Sequence, residues 1–359
     1  MINVFLIDDS KFILNAVSKI LEKAPDIRVV GMASDGLEAV SKVVELNPDV
    51  ITLDIAMYPV DGLTVLKRIM EKNPTPVIIF SGDSKQATSI SIEALKLGAV
   101  DYVAKPGGGE SPLWMKASLN QVSEELITKI RIAATVDRER LRTLYRFYTD
   151  DKDKKDIKKQ PVLIQPKKVI AIGSSTGGPQ ALMEILTGFH DDFGSVILVS
   201  QHMPPFFIKR FSERLNSLSR LCVKVAEEGD VLQAGMVFFA PGEYNLLIEK
   251  KKKKYIITLN NERGPNYKRL PCIDIMMESV ARAAGEDSIG VLLSGMGRDG
   301  AEGMEVIKSA GGTTVVQDEA TSVVFGMPKE AIKKGVVDKI LPLKKIAGWI
   351  IRNTEESDD

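Results

Sequence analysis

Five polar residues in the first part of the chain stand at the ends of short apolar runs. They are Asp8 and Asp9 after "NVFLI", Asp54 in "DVITLDI", Ser81 in "PVIIFSG" and Lys105 in "DYVAKP". Because parallel strands of an open α/β sheet present their carboxyl ends at one edge, these side chains are expected to converge there. Three carboxylates repel one another unless a hard cation lies among them, which predicts Mg²⁺ with oxygen ligands. A carboxylate beside that ion can attack a phosphoryl group, while a hydroxyl and an ammonium group stabilise the phosphoryl oxygens.

A second candidate is the glycine-rich stretch "VIAIGSSTGGP", residues 169 to 179. A strand, a glycine turn and a helix N-terminus can bind a phosphate or can expose a serine nucleophile. A P-loop needs a Lys-Ser/Thr pair, and a dinucleotide site needs an acidic residue at the end of the next strand. The stretch "SSTGGPQ" has no Lys-Ser/Thr pair. The next strand, "SVILVSQHMPP", ends in Ser200, Gln201 and His202 and not in an acidic residue. The phosphate site is therefore the weaker interpretation, and the pattern G-x-S-x-G favours Ser175 as a nucleophile.

A serine nucleophile needs a base and a group that orients the base. The chain has two histidines; His190 precedes the strand "SVILVSQH", whereas His202 follows it on the same edge as Ser175. Another apolar strand, in "IGVLLSGMGRDGAEG", leads into a glycine-rich loop that carries Asp299. We predict a Ser175, His202 and Asp299 triad. Its order along the chain differs from the Ser, Asp, His order of α/β-hydrolases, so that fold is not predicted.

Along the chain around these residues, apolar strands alternate with helices of 3.6-residue period. This alternation predicts an α/β protein with two doubly wound parallel-sheet domains joined by a linker. The predicted limits are a first domain over 1–125, a linker over 126–166 that is helical and then of mixed charge, and a second domain over 167–353. The run Lys250 to Lys254 is interpreted as a solvated hairpin tip, with a docking patch as the alternative.

Composition excludes several classes of partner. The 359 residues contain 48 Lys and Arg against 48 Asp and Glu, so no overall field attracts nucleic acid or an anionic membrane. Two cysteines argue against a disulfide framework and for a reducing compartment. The first apolar strand reaches Asp8 too soon for a signal peptide, and no apolar stretch has the length of a membrane span. We therefore expect a cytoplasmic protein that neither binds nucleic acid nor inserts into a membrane.

The first domain resembles the receiver domain of two-component response regulators, which has a flavodoxin-like fold. The resemblance rests on "IDDS", "LDIAMYPVDGL", "FSG" and "DYVAKP", which occur in the family's order. It implies that Asp54 accepts the phosphoryl group. It also implies that Mg²⁺ is held by Asp8, Asp9, Asp54 and the backbone carbonyl of Ala56.

The resemblance further implies that Ser81, Tyr102 and Lys105 respond to the phosphoryl group, with Tyr102 at the family's aromatic switch position. One departure is visible. The family usually has proline directly after the residue that matches Met57, whereas Tyr58 intervenes here before Pro59. The loop after Asp54 is therefore expected to differ in shape.

The second domain resembles the catalytic domain of the chemotaxis protein-glutamate methylesterases, a Rossmann-like three-layer hydrolase. The motifs are "IGSSTGGPQAL", "QHMPPFF", "LPCIDIMMESVA", "LLSGMGRDGAEG" and "QDEATSVVFGMPKEAI". The resemblance implies the same triad and places Thr176 and the backbone amide of Met296 at the active site and oxyanion hole. "GSST" stands where "GAST" is commoner, and "PCID" for "PSVD" brings the thiol of Cys272 near the site without an obvious chemical need.

The resemblance also implies the function. Glutamate methyl esters on the cytoplasmic helices of chemoreceptors would be hydrolysed, and certain glutamines deamidated, through an acyl-enzyme and without a cofactor for the ester step. A chemotaxis histidine kinase would be the phosphodonor that regulates the enzyme. The rival hypothesis is a non-enzymatic signalling adaptor, in which the receiver switches binding by the second domain. A serine-directed probe separates the two hypotheses.

Overall fold

A computed structural model describes residues 1–82, 85–105, 112–139, 141–142, 145, 164–263 and 270–355. The chain forms two compact units, residues 1–153 and 154–359. Each unit is built on its own sheet. Most of the mixed-charge half of the predicted linker, residues 146–163, lies outside the described residues.

The first unit contains a sheet of five parallel strands in the order β2-β1-β3-β4-β5. Helices connect successive strands, as in a doubly wound sheet. In chain order the elements are β1 (Ile2–Ile7), α1 (Lys11–Leu21), β2 (Ile27–Ala33), α2 (Gly36–Leu46), β3 (Val50–Leu53), α3 (Gly62–Lys72), β4 (Val77–Ser81), α4 (Lys85–Lys96), β5 (Asp101–Ala104) and α5 (Pro112–Ala133).

Side-chain caps start the first three helices directly after the loops that leave the strands. The hydroxyl of Ser10 caps α1, and the carboxylates of Asp35 and Asp61 cap α2 and α3 by accepting amides of the first turn. These acidic residues therefore serve the helices, whereas Asp8 and Asp54 lie buried in the crevice at the strand ends.

Helix α5 continues past the predicted boundary at residue 125. Leu126, Ile130 and Ala133 are fully buried, and the Arg131 guanidinium pairs with Asp26 at 2.7 Å. The predicted start of the linker at 126 therefore falls inside a helix of the first unit. The strongly charged stretch that suggested a linker begins at Arg138, beyond the end of α5 at Ala133, so composition did not locate the end of this helix.

The second unit contains seven parallel strands in the order β14-β13-β12-β6-β7-β9-β8. Its elements are β6 (Val169–Ser174), α6 (Gly178–Thr187), β7 (Val196–Gln201), α7 (Pro205–Leu218), β8 (Cys222–Val225), β9 (Met236–Phe239), β10 (Asn245–Lys251), β11 (Lys254–Asn260), α8 (Ile273–Ala284), β12 (Ser288–Leu292), α9 (Ala301–Ser309), β13 (Thr313–Gln317), α10 (Met327–Lys333), β14 (Lys339–Leu341) and α11 (Leu343–Glu355). The predicted class, α/β with two doubly wound parallel sheets, is confirmed.

Strands β10 and β11 form a separate antiparallel hairpin whose tip falls within the run Lys250 to Lys254. The two edge strands of the large sheet, β8 and β14, were not predicted. They are short and only partly buried, so they lack the continuous apolar run by which a buried parallel strand is found.

Candidate functional site

The turn between β6 and α6 presents Ser175 at the carboxyl edge of the large sheet. The Ser175 amide donates to the carbonyl of Ser294 at 3.0 Å, and the Gly178 amide donates to the Ser175 carbonyl at 2.7 Å. Gly177 has a φ of 77°, a left-handed conformation that a glycine adopts without strain. The turn is therefore sharp and held at both ends, which leaves the Ser175 hydroxyl at the rim.

His202 follows β7, the strand next to β6, and its ring bridges Ser175 and Asp299. The Nδ1 atom lies 3.3 Å from the Ser175 Oγ, and the Nε2 atom lies 2.8 Å from the Asp299 Oδ2. An ionised carboxylate only accepts hydrogen bonds, so the proton of the neutral ring belongs on Nε2. Nδ1 is then free to accept the Ser175 hydroxyl proton. The structure thus brings together the three residues of the predicted triad; their catalytic roles stay predictions.

The Asp299 carboxylate lies at the N-terminus of α8, where free amides point at it. Ile273 donates to Oδ2 and Asp274 donates to Oδ1, both at 3.0 Å. Burial alone would raise the pKa of Asp299, but the hydrogen bond and charge of His202, together with these amides, lower it. Asp299 therefore stays ionised and able to stabilise a protonated His202.

Two further groups beside Asp299 were not given roles from the sequence. The Cys272 thiol donates to Asp299 Oδ1 at 3.5 Å, which gives the thiol a contact that an apolar residue could not make. The pKa of Asp274 is raised to about 7 by burial and then by the negative charge of Asp299. Its Oδ1 accepts the Gly303 amide at 2.7 Å, so Asp274 joins the start of α8 to the first turn of α9. In the sequence, the "PCID" motif at the start of a helix was the one feature that could have drawn attention to Cys272 and Asp274.

Cys272 should be unreactive in the folded protein. Burial, and then the charge of Asp299, raise the pKa of Cys272 to about 12, so at pH 8 about one thiol in 10⁴ is ionised. Iodoacetamide at pH 8 should therefore modify the less buried Cys222 and leave Cys272 intact. Peptide mass spectrometry after brief alkylation checks this, with urea-unfolded protein as the control in which both are modified. Equal modification of Cys222 and Cys272 in the native protein would contradict this prediction.

The residues predicted to form the oxyanion hole lie in two loops that contact each other. Thr176 is buried, and its carbonyl accepts from the Ser294 hydroxyl at 2.8 Å. A Cβ on Gly295 would stand 2.9 Å from the Ser175 Cβ, so the backbone that leads to Met296 runs against the nucleophile. The Met296 amide donates to no acceptor in the described part of the chain. It is thus available to a substrate oxygen, and its role stays a prediction.

In the first unit, Lys105 joins two of the predicted carboxylates. Its Nζ lies 2.6 Å from the Asp8 Oδ2 and 2.6 Å from the Asp54 Oδ2. Oxygens of Asp8, Asp9 and Asp54 lie within 4.8 Å of one another. Burial raises the pKa of Asp8 to about 6, although the Lys105 ammonium opposes that rise. This set of converging oxygen donors fits a hard divalent cation.

The switch residues lie on the neighbouring strands. Ser81 ends β4, and its buried hydroxyl has no hydrogen-bond partner among the described residues. Tyr102 is buried in β5 with the Lys129 ammonium 4.9 Å from its ring centre. Burial, together with the charge of Asp101, raises the pKa of the Tyr102 phenol. Within the described ranges, the structure therefore leaves the Ser81 hydroxyl unpaired at the end of β4 and holds a neutral phenol in the sheet.

The loop after Asp54 exposes Tyr58, the residue that precedes Pro59. Tyr58 is 85% exposed, and the peptide bond to Pro59 is cis. Asp61 still caps α3, and a Cβ on Gly62 would lie 2.2 Å from the Asp54 carbonyl oxygen. Only glycine fits at that approach, so the chain beyond the loop is held against Asp54.

Known proteins resemble this chain along most of its length. The family model for the CheB methylesterase matches residues 170–350, and that for the response regulator receiver domain matches residues 4–111. A protein-glutamate methylesterase/protein-glutamine glutaminase of Pyrococcus abyssi is 40% identical over 356 residues, which span 99% of this chain and 94% of the relative. The protein of the same description from Thermotoga maritima is 41% identical over 351 residues, 98% of each chain.

Among solved structures, the crystal structure of the Thermotoga maritima CheB methylesterase catalytic domain is similar to the second unit. It is 38% identical with a TM-score of 0.51, and the match covers 53% of this chain and 100% of that one. Within the described residues, no helix is both long enough and apolar enough to cross a bilayer.

Proposed function

This chain belongs to the CheB methylesterase family, with a receiver domain ahead of the catalytic domain, and from this premise we propose that Ser175, His202 and Asp299 perform its hydrolysis. It is a methylesterase and glutaminase of chemotaxis. The observation that carries the proposal is the continuous hydrogen-bonded chain from the Ser175 hydroxyl through His202 to Asp299.

The first half of the reaction forms an ester of Ser175. His202 Nδ1 takes the hydroxyl proton as the Ser175 Oγ attacks the carbonyl carbon of a glutamate methyl ester. Asp299 stabilises the imidazolium that results and keeps the second ring proton on Nε2. The imidazolium then gives its proton to the departing methoxide, and methanol leaves.

The second half returns the enzyme to its starting state. His202 deprotonates a water molecule, whose oxygen attacks the acyl carbon. The imidazolium then returns that proton to the departing Ser175 Oγ, and the released glutamate carboxyl group loses its own proton to solvent. The Met296 amide stabilises the oxyanion in both halves, and such a donor contributes about 3 to 4 kcal/mol in other hydrolases. A glutamine side chain reacts in the same way, with ammonia as the leaving group.

The substrate proposed is a methylated chemoreceptor, attacked on its cytoplasmic helices, so the enzyme would act in the cytoplasm. Methanol release from methylated receptor in the presence and absence of enzyme tests this directly. Parallel labelling with a fluorophosphonate tests for an activated serine. An enzyme that neither releases methanol nor reacts with the probe would instead support a signalling adaptor.

The receiver pocket is proposed to regulate this activity. Asp8, Asp9, Asp54 and the backbone carbonyl of Ala56 would hold Mg²⁺, which offsets the charge of a phosphoryl group when bound. Asp54 would receive that group from a chemotaxis histidine kinase. Lys105 and the Ser81 hydroxyl would then bind the phosphoryl oxygens, and Tyr102 would change its position when they bind.

Asp54→Asn should abolish activation by phosphodonor, because a carboxamide is not a nucleophile toward phosphorus. The ratio of methanol release with acetyl phosphate and Mg²⁺ to release without them should fall to about 1. Asp61→Asn is the matched control, since asparagine caps a helix as well as aspartate does, and it should keep the activation. Activation that survives in Asp54→Asn would mean that another residue receives the phosphoryl group.

A further inference from the structure

We propose that Gln201 is a positioning residue that holds the nucleophile and the base at their reactive separation, and that Ser174 fixes the orientation of Gln201. The inference rests on the proposed roles of Ser175 and His202. Gln201 and Ser174, together with the main-chain carbonyls of Ser175 and His202, are here called the Gln201 clamp.

The clamp is built from neighbouring ends of two central strands. Ser174 and Gln201 are the last residues of β6 and β7 and stand opposite each other in the sheet register. The Gln201 Nε2 lies 3.1 Å from the Ser175 carbonyl oxygen and 3.1 Å from the His202 carbonyl oxygen. One buried amide group thus contacts the main chain of both reacting residues.

The chemistry of the contacts requires an amide in a single orientation. Two carbonyl oxygens can only accept, so the NH₂ end of Gln201 must face them. The other end, Oε1, accepts the Ser174 hydroxyl at 2.6 Å. Alanine, the family's commoner residue at position 174, could not donate this bond and would leave Oε1 without that partner.

The Gln201 clamp is tightly enclosed by the start of α6 and by the sheet. A Cβ on Gly178 would stand 2.2 Å from the Gln201 Oε1, so a glycine at the start of α6 admits the amide. Both Ser174 and Gln201 are almost completely buried. Their hydrogen bonds are therefore made away from water, where a lost partner costs most.

The clamp acts on geometry and not on substrate. Its hydrogen bonds reach the main-chain carbonyls of Ser175 and His202, and the Ser175 to His202 distance of 3.3 Å follows from where the two main chains are held. A displacement of about 1 Å between reacting groups lowers a rate on the order of 100-fold. Loss of the clamp should consequently reduce kcat and leave KM nearly unchanged.

The test compares Ser174→Ala, Gln201→Met and the double variant of the full-length enzyme. Gln201→Met keeps the side-chain length but removes every hydrogen bond, and its kcat should fall about 10- to 100-fold with KM within about 3-fold. Ser174→Ala should lower kcat by about 3- to 10-fold. In the Gln201→Met background Ser174→Ala should have no further effect on kcat, because the bond is already lost.

Ser200→Ala is the matched control. Ser200 precedes Gln201 in β7, and its buried hydroxyl has no partner in the described part of the chain, so kcat should stay at the wild-type value. Multiplicative effects of the two clamp variants on kcat, or a Ser174→Ala enzyme with wild-type kcat, would overturn the proposal. Release of methanol by the wild type but not by Ser175→Ala shows separately that the proposed function stands.

Gln201→Glu gives a second readout if Gln201→Met does not fold. An ionised carboxylate would repel the two carbonyl oxygens, whereas a protonated one can donate to one of them. Burial without a paired cation raises the pKa of a carboxyl group toward this range, so the kcat of Gln201→Glu relative to wild type should rise as the pH is lowered from 8 to 6. A ratio independent of pH would contradict a hydrogen-bonded clamp.

Discussion

Ser175→Ala should release no methanol above background from methylated receptor, a loss of about 10⁵- to 10⁶-fold in kcat by analogy with other serine hydrolases. The physical reason is that the Ser175 hydroxyl lies within reach of the His202 Nδ1. The adjacent hydroxyl cannot replace it, because Ser174 donates to Gln201 inside the sheet. The two serines of "GSST" therefore have different roles, which the motif alone did not distinguish.

Ser174→Ala is the natural comparison for that variant, since it removes the neighbouring hydroxyl and retains the nucleophile. A fluorophosphonate probe should label the wild type and Ser174→Ala and spare Ser175→Ala. Labelling of Ser175→Ala, or equal methanol release by it and the wild type, would remove the nucleophile assignment. The glycine turn would then revert to the binding-loop interpretation.

Asp299→Asn should lower kcat by about 10³- to 10⁴-fold. An asparagine carboxamide has one donating and one accepting end, whereas the Asp299 carboxylate accepts at both. If its NH₂ group faces His202, the ring proton moves to Nδ1, which can then no longer accept the serine proton. If its NH₂ group faces the other way, it meets the amide proton of Asp274. One orientation thus removes the proton acceptor on His202, and the other breaks the hydrogen bond between residue 299 and the Asp274 amide.

The measurement is kcat for methanol release, with circular dichroism to show that the variant is folded. Asp191→Asn makes the same change in an exposed loop of the same unit and should keep wild-type activity. An Asp299→Asn enzyme with kcat within about 10-fold of wild type would show that His202 does not depend on this carboxylate for its tautomer.

Elementary sequence rules were sufficient to predict that the functional residues lie at the carboxyl edge of each parallel sheet. Parallel strands end at a common edge, so a polar residue that follows an apolar run is placed there without knowledge of the fold's details. This located Asp8, Asp54 and Lys105 in one unit and Ser175 and His202 in the other. The structure brings each set within hydrogen-bonding or ionic contact.

Local patterns were less informative where burial depends on distant parts of the chain. The predicted linker began at residue 126, inside α5, yet Arg131 of that helix pairs with Asp26, which is 105 positions away. The edge strands β8 and β14 were missed for a related reason: each is completed by a neighbouring strand and not by its own composition.

Periodicity and strand direction are local properties, so the α/β class, the strand ends that carry chemistry and the residue types gathered there could be predicted from the sequence. Three features became visible in the folded protein alone: Nδ1 of His202 faces the nucleophile, the start of α8 holds Asp299, and Gln201 joins the two reacting loops. These features depend on side-chain directions across 26 to 97 positions of chain. No local pattern encodes such directions, since they are fixed only when the central strands pack side by side.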